Sequence, residues 1–500
     1  MAEEVQNTEQ RSSYRSIFKA TSLFGGVQIF NIIINVIRSK FIAVILGPNG
    51  MGISGLFSST VNLISELSNC GLNKSAVRNI AEANSTGDTK KIAGVVQSLQ
   101  YVIWITGIIG TIICALLAPI WSKLTFGNTD YTYAFIILSI SVLLLQLTNG
   151  KNALLQGLQK YKFLAVANIL GSSIGLIFTV PLYYIWGINA IVPVLLLSYV
   201  TSFFFALYYS RKVHLDKIEQ NKTDRREIAS NMIKLGIALS VQSLLSLLSS
   251  YVIRIFISNT GGISEVGLYN AGFAIINTYI GLIFTAMAQD YFPRLSKVKN
   301  NHTLFESTIN NQTEVAVLLL APMIVCFVIF INPIIILLYS DRFAPISGMI
   351  YWCMSGMILK AMAWAKSYAL IAQGDIKSFT KCEFSVIAYG FVLNFLGYYF
   401  LGLTGIGASF LVIYVIYLIH LSIVVKKKYS YKLPFQIWKL IFIISLPVLL
   451  SFIVKLLDIG IVIKYILGSA IFVSSVMISL YELNKRLGIS NMIKGEFHHK

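Results

Sequence analysis

Apolar residues in this chain come in long runs rather than in the short alternations of half-buried soluble elements. Each run is long enough for the bilayer core, whose thickness of about 30 Å takes roughly 20 helical residues. Such runs lie near 20–46, 53–72, 93–121, 132–150, 163–186, 189–210, 232–258, 265–290, 313–339, 347–373, 379–401, 405–425, 435–456 and 460–482. The pattern predicts an all-α integral membrane protein with about 14 transmembrane helices. Polar stretches between the runs are short, the longest around 211–231 and 291–311, so no separate extramembrane domain fits. On one side the connections are tight turns with almost no charge: Gly47-Pro48-Asn49-Gly50, Trp186-Gly187-Ile188-Asn189 and Gly402-Leu403-Thr404-Gly405. The mixed-charge stretch 1–15 reads as a tail before an uncleaved first span, because no small-residue cleavage pattern follows it.

The runs repeat. Val36-Ile37-Arg38 late in the first span recurs as Val252-Ile253-Arg254 late in the seventh. Gln156-Gly157 with Lys160 recurs as Gln373-Gly374 with Lys377, and Gly187, Ala190 and Tyr199 recur as Gly405, Ala408 and Tyr417. Three matches in order at nearly one offset predict two copies of a six-helix unit. Six is even, so the copies insert the same way up, as parallel repeats, with a substrate site expected between them. The expected organisation is a tail (1–15), an N-lobe (16–210), a linker (211–231), a C-lobe (232–425), a terminal helix pair with its preceding basic loop (426–484) and a second tail (485–500).

Composition agrees: 56% of the 500 residues are hydrophobic and only 12% charged, where soluble domains carry about 25%. The net charge of +19 needs a partner only if topology does not account for it. Of 40 Lys and Arg, 31 fall in the tails, alternate loops and adjoining helix ends, and four (Lys123, Arg342, Lys455, Lys464) fall on the other side. The positive-inside rule then places both termini in the cytoplasm and leaves no charge that calls for nucleic acid. The five cysteines are scattered, and the histidines lie mostly in loops or the tail, so neither a disulfide framework nor a metal site is expected. No Walker A or HExxH pattern occurs. Gly171-Ser172-Ser173-Ile174-Gly175 fits GxSxG in letters but lies inside a span with no His nearby, where small residues allow close helix packing. A transporter with no cofactor is expected, not an enzyme.

Particular stretches carry a family likeness: Phe41-Ile42-Ala43-Val44-Ile45-Leu46-Gly47-Pro48-Asn49-Gly50-Met51-Gly52, Phe126-Gly127-Asn128-Thr129-Asp130-Tyr131, Val266-Gly267-Leu268-Tyr269-Asn270-Ala271 and Asp341-Arg342-Phe343. With the order of spans, they resemble the multidrug/oligosaccharidyl-lipid/polysaccharide (MOP) exporter superfamily, and most closely its polysaccharide branch of O-antigen translocases. That resemblance, over roughly 16–427, implies a V-shaped pair of lobes in the bacterial inner membrane, working by alternating access. It implies as substrate an undecaprenyl-diphosphate-linked oligosaccharide, and as partners membrane lipids and polysaccharide-assembly proteins. Many O-antigen members are read as twelve-span, so the terminal pair is a departure, either a groove for the polyprenyl tail or a peripheral addition.

Five cations remain inside the spans: Arg38, Lys40, Arg254, Lys360 and Lys366. Insertion scales charge about 2.5–3.5 kcal/mol for each at a span centre, which marks them as functional candidates. Guanidinium binds phosphate oxygens bidentately and keeps its proton, so Arg38 and Arg254 suit a diphosphate. Arg254, close to its helix end, equally fits snorkelling to headgroups, and Lys366 fits reaching toward the cytoplasmic ones. Gln28, Asn31, Asn35 and Gln242 are candidates for sugar contacts or for helix-to-helix hydrogen bonds. Trp364 shares a helical face with Lys360 and is the aromatic best placed to stack on a sugar. Glu66 is the most embedded acid and the candidate coupling group, or else a lysine's static partner. Embedded cations outnumber embedded acids, which argues for an anionic substrate over an ion-coupled multidrug antiporter. A membrane glycan polymerase would require a long outer loop, and none is present.

Overall fold

A computed structural model describes residues 30–215 and 221–487, so Gln28, the first tail and all of the second beyond 487 lie outside the described residues. Every described regular element is helical, as hydrocarbon demands of a backbone that must satisfy its own hydrogen bonds. In order they are α1 (30–45), α2 (Gly47–Asn69), α3 (Leu72–Ser85), α4 (Thr89–Leu116), α5 (Ala118–Phe126), α6 (Thr132–Gly157), α7 (Tyr161–Trp186) and α8 (Ile191–Arg211). There follow α9 (Lys222–Gly261), α10 (Ile263–Ile275), α11 (Gly281–Lys297), α12 (His302–Leu338), α13 (Ser347–Ala372), α14 (Ile376–Tyr429), α15 (Phe435–Leu456) and α16 (Ile461–Leu487). A π-turn, Ile276–Ile280, joins α10 to α11 in one span. α14 holds two spans, broken at Gly402 (φ 59°, ψ −142°), so fourteen crossings result among the described residues. Large apolar side chains such as Leu116, Phe442 and Leu456 are exposed along these helices, the surface a bilayer covers.

α3 was not legible as a span and is not one. Leu72, Ala76, Ile80 and Ala83 recur every three or four residues, and this face is buried against α6 and α9. Its other face is polar, so averaged hydropathy hides it. The third apolar run divides at Leu117, where Pro119 follows, into α4 and α5.

The repeat is visible in the backbone. Gly47 and Gly262, Gln159 and Gly374, and Gly187 and Gly402 all have positive φ, and each pair is 215 residues apart. α6 and α13 are 26 residues each and start 215 residues apart, at Thr132 and Ser347. At Gly187 (φ 56°, ψ −132°) and Gly402 the chain adopts a conformation that glycine tolerates and side chains resist. Tyr183-Tyr184 precedes one turn and Tyr398-Tyr399 the other at the same spacing, so Gly187 corresponds to Gly402, not Gly405. Three extra residues then restore the Ala190–Ala408 and Tyr199–Tyr417 match. The register also separates the two arginines. Arg38 lies nine residues before its turn glycine and Arg254 eight, an offset of about 100° around a helix.

By contact the chain divides after Gly267. In the first unit α9 packs on α2, α3 and α4, although it occupies the first place of the second repeat. There the family-like stretches meet: a Cβ on Gly52 would fall 2.0 Å from the Ile263 carbonyl oxygen, and one on Gly267 1.9 Å from that of Pro48. In the second unit the terminal helices α15 and α16 pack on α12. Phe330, at the α12 kink, stacks on Tyr465 at 5.9 Å, and Arg486 of α16 pairs with Glu314 of α12 at 2.6 Å.

The two ends of α14 are tied together. Asp375 caps its first turn by accepting from the Ser378 N–H at 3.1 Å, and pairs with Lys428 in its last turn. Lys428, aided by the Ser378 N–H, holds the Asp375 carboxyl down to about 2. The pair's contribution is therefore complete above the unfolded value near 3.9 and is lost only as pH falls through about 2. Asp375→Ala is expected to cost about 1 kcal/mol at neutral pH, read as a lower thermal midpoint of the purified protein. An unchanged midpoint would mean that the cap contributes nothing.

Candidate functional site

Arg38 projects from α1 into the first unit. Its Nη2 donates to the Ser172 carbonyl of α7 at 3.4 Å, and Ser172 Oγ donates to Asn31 Oδ1 at 3.3 Å. Asn31, Asn35 and Arg38 thus follow one stripe of α1, with Asn35 exposed. The GxSxG letters are helical and serve packing: a Cβ on Gly171 would lie 3.0 Å from Ser202 Cα of α8, and one on Gly175 would lie 3.2 Å from Arg38 Nη2. Gly175 therefore leaves room for the guanidinium. Tyr183 and Tyr199 lie within its electrostatic reach and hydrogen-bond in turn with Ser54 and Ser58 of α2. Arg38 Nε is buried without a hydrogen-bond partner among the described residues. The site therefore offers unused donor capacity beside two hydroxyls.

The other first-unit candidates do not join it. Lys40, two residues on, points about 200° around α1 and is half-buried. Arg254 turns back on its own helix, with Nη1 donating to the Ser250 carbonyl at 3.1 Å and to Ser250 Oγ at 2.6 Å. Gln242 on α9 and Glu66 on α2 are half-buried. One polar network was missed. Gln146, 1% exposed, donates to Ser68 Oγ at 2.6 Å and accepts from Thr106 Oγ1 at 2.9 Å, linking α2, α4 and α6. A glutamine inside an otherwise apolar run was its only signal.

In the second unit Lys360 of α13 sits among three rings, Phe284 at 5.4 Å and Phe410 and Tyr414 at 5.6 Å, a set of cation–π contacts. Trp364 is one turn along, as its spacing predicts, and touches the same Phe284 at 5.5 Å, together with Tyr291 at 5.5 Å and Tyr368 at 5.0 Å. The result is a cation at one end of an aromatic row. Lys366 is 4% exposed, on another face of α13, and donates to Ser422 Oγ of α14 at 2.7 Å. Neither Arg38, Lys360 nor Lys366 has an ion-pair partner among the described residues. Glu383 accepts from the Tyr417 hydroxyl. Tyr417, which matches Tyr199 in letters at an offset of 218, meets an anion where Tyr199 meets a cation, whereas Tyr414, at the 215-residue register of the turns, lies beside Lys360.

Chemically, the guanidinium with its tyrosines can bind phosphate oxygens, and a lysine beside an aromatic row can hold an anion next to a sugar face. A sequence profile described as "Polysaccharide biosynthesis protein" matches residues 41–348. A lipid III flippase of Escherichia coli (strain K12) is 20% identical over 372 residues, covering 74% of this chain and 88% of that protein. A protein of Shigella flexneri named as an O-antigen transporter is 24% identical over 346 residues, 67% of this chain and 80% of its own. Among solved structures, the lipid II flippase MurJ in an inward closed conformation superposes with a TM-score of 0.68 at 15% identity, covering 93% of this chain and 99% of that one. An inward-facing MATE family multidrug transporter of the MOP superfamily gives 0.66 at 16% identity, covering 80% and 94%. What the MurJ match leaves uncovered is shorter than α15 and α16 together, so at least part of the terminal pair shares in that fold.

Proposed function

The chain belongs to the polysaccharide biosynthesis protein family, and from that premise we propose that it is a flippase for lipid-linked oligosaccharide in the bacterial inner membrane. It carries an undecaprenyl-diphosphate-linked repeat unit of a surface polysaccharide from the cytoplasmic to the outer leaflet by alternating access. The observation that carries this reading is the sign of the embedded charge: Arg38 and Lys360 lie in spanning helices without a carboxylate partner among the described residues. Arg38 in the first unit and Lys360 in the second each serve as an anion-binding group for the diphosphate, and Trp364 with its aromatic row offers stacking faces to the sugars. Both termini face the cytoplasm in this reading, following the basic loops. Leaving a negative cytoplasm is worth about 2.3 kcal/mol per charge per 100 mV, so about 4.6 kcal/mol for two negative charges aids export.

A second reading, an ion-coupled antiporter, draws on the embedded acids Glu66 and Glu383, of which Glu66 is the coupling candidate. Depleting the protein and locating the lipid-linked units separates the two. Accumulation on the cytoplasmic side, with loss of surface polysaccharide, is the expected result. Undiminished delivery to the outer face would overturn the flippase reading.

A further inference from the structure

In the first unit α4 and α8 stand on either side of α6 and pack against it, leaving a cavity of about 250 Å³ over its face. Gly150 and Lys151 line the α6 side, Trp104 the α4 wall, Phe203 and Leu207 the α8 wall, with Arg211 at one end. Apart from Gln100 on the α4 wall the lining is apolar, and its two charged residues are both cationic. Lys151 is half-buried, Arg211 is exposed, and the two are close enough to repel. Among the described residues neither donates a hydrogen bond or meets a carboxylate, and the two like charges line one cavity.

This is the end of the unit where cations gather. Lys90 and Lys91 open α4, Lys160 and Lys162 follow α6, and Arg211 and Lys212 close α8. Cations are also favoured at the C-terminal ends of α6 and α8 by the helix dipoles. Bare phosphate would leave the apolar walls exposed, and a zwitterionic lipid would bring a third positive charge to the two already there. A ligand with a net-negative headgroup and a hydrocarbon chain satisfies both parts of the cavity, and such lipids concentrate beside basic clusters. We propose that this cavity binds an anionic phospholipid, its phosphate between Lys151 and Arg211 and one acyl chain along Trp104, Phe203 and Leu207.

The proposal concerns lipid retention and stands whether or not the transport reading does. The full chain, purified and delipidated in detergent, is titrated with phosphatidylglycerol or phosphatidylcholine, and bound lipid is read by native mass spectrometry. The wild type is expected to retain phosphatidylglycerol at roughly 30-fold lower concentration, the weight of two basic side chains. Lys151→Gln with Arg211→Gln should bring the two lipids near parity, Lys151→Arg should keep the preference, and millimolar inorganic phosphate should not displace the lipid. Equal retention of both lipids by the wild type, an undiminished preference in the double variant, or displacement by phosphate alone would overturn it. If the double variant is not recovered folded, the wild-type comparison and Lys151→Gln alone decide.

Discussion

Arg38→Ala is expected to reduce delivery of lipid-linked oligosaccharide by roughly ten- to more than a hundredfold while the protein still inserts. Hydrogen bonds to a charged partner are worth about 1.5–3 kcal/mol each, and the guanidinium supplies them in a bidentate pair that no neighbour can replace. Its own fold contacts are slight: one hydrogen bond at 3.4 Å to a carbonyl, with Nε unsatisfied. Losing the side chain should therefore cost stability far less than transport. Arg38→Lys keeps the charge but not the planar fork and should fall in between. Lys360→Ala should behave like Arg38→Ala, because the three rings around it hold the ammonium without neutralising it. The measurement is flux of lipid-linked units alongside the amount of protein in the membrane. Wild-type flux in both alanine variants would remove these residues from the path.

Gly267→Leu is expected to prevent accumulation of folded protein. A Cβ there would lie 1.9 Å from the Pro48 carbonyl oxygen and 2.9 Å from the Gly52 nitrogen, both backbone atoms that no rotamer change can move. Overpacking typically costs 1–3 kcal/mol where side chains can yield, and this contact lies at or beyond the upper end. Gly267→Ala should be milder but of the same sign, because even a methyl overlaps. Membrane yield and the thermal midpoint of the purified variants check this. Normal folding of Gly267→Leu would show that α2 and α10 do not approach so closely in the membrane.

How much was legible follows from the distance over which each signal acts. The fourteen spans are local averages of hydropathy and stand in the sequence, as do the turn glycines Gly187 and Gly402. α3 escaped because its apolar face is narrow and its composition polar, so only its four-residue spacing carries the signal. The neighbourhood of Lys360 was half visible: Trp364 is one turn away, but Phe284, Phe410 and Tyr414 arrive from other helices. The proposed equivalence of Arg38 and Arg254 shows the limit of matching letters. Val-Ile-Arg recurs, yet the turn after it comes one residue sooner in the second copy, and one residue rotates a helical side chain by about 100°. Gln146 and the tyrosines around Arg38 were invisible as a site, since nothing in their local sequence distinguishes a buried network from an interfacial belt.

The tyrosines bear on whether one half can stand in for the other. Tyr199 answers to an arginine and Tyr417 to a glutamate, while both copies keep a cation within their spans and the same turns. A tandem chain assembled from two first halves would preserve the fold's punctuation yet present Arg38 twice and neither Lys360 nor Glu383. The turns repeat from copy to copy, and the charges set on them do not.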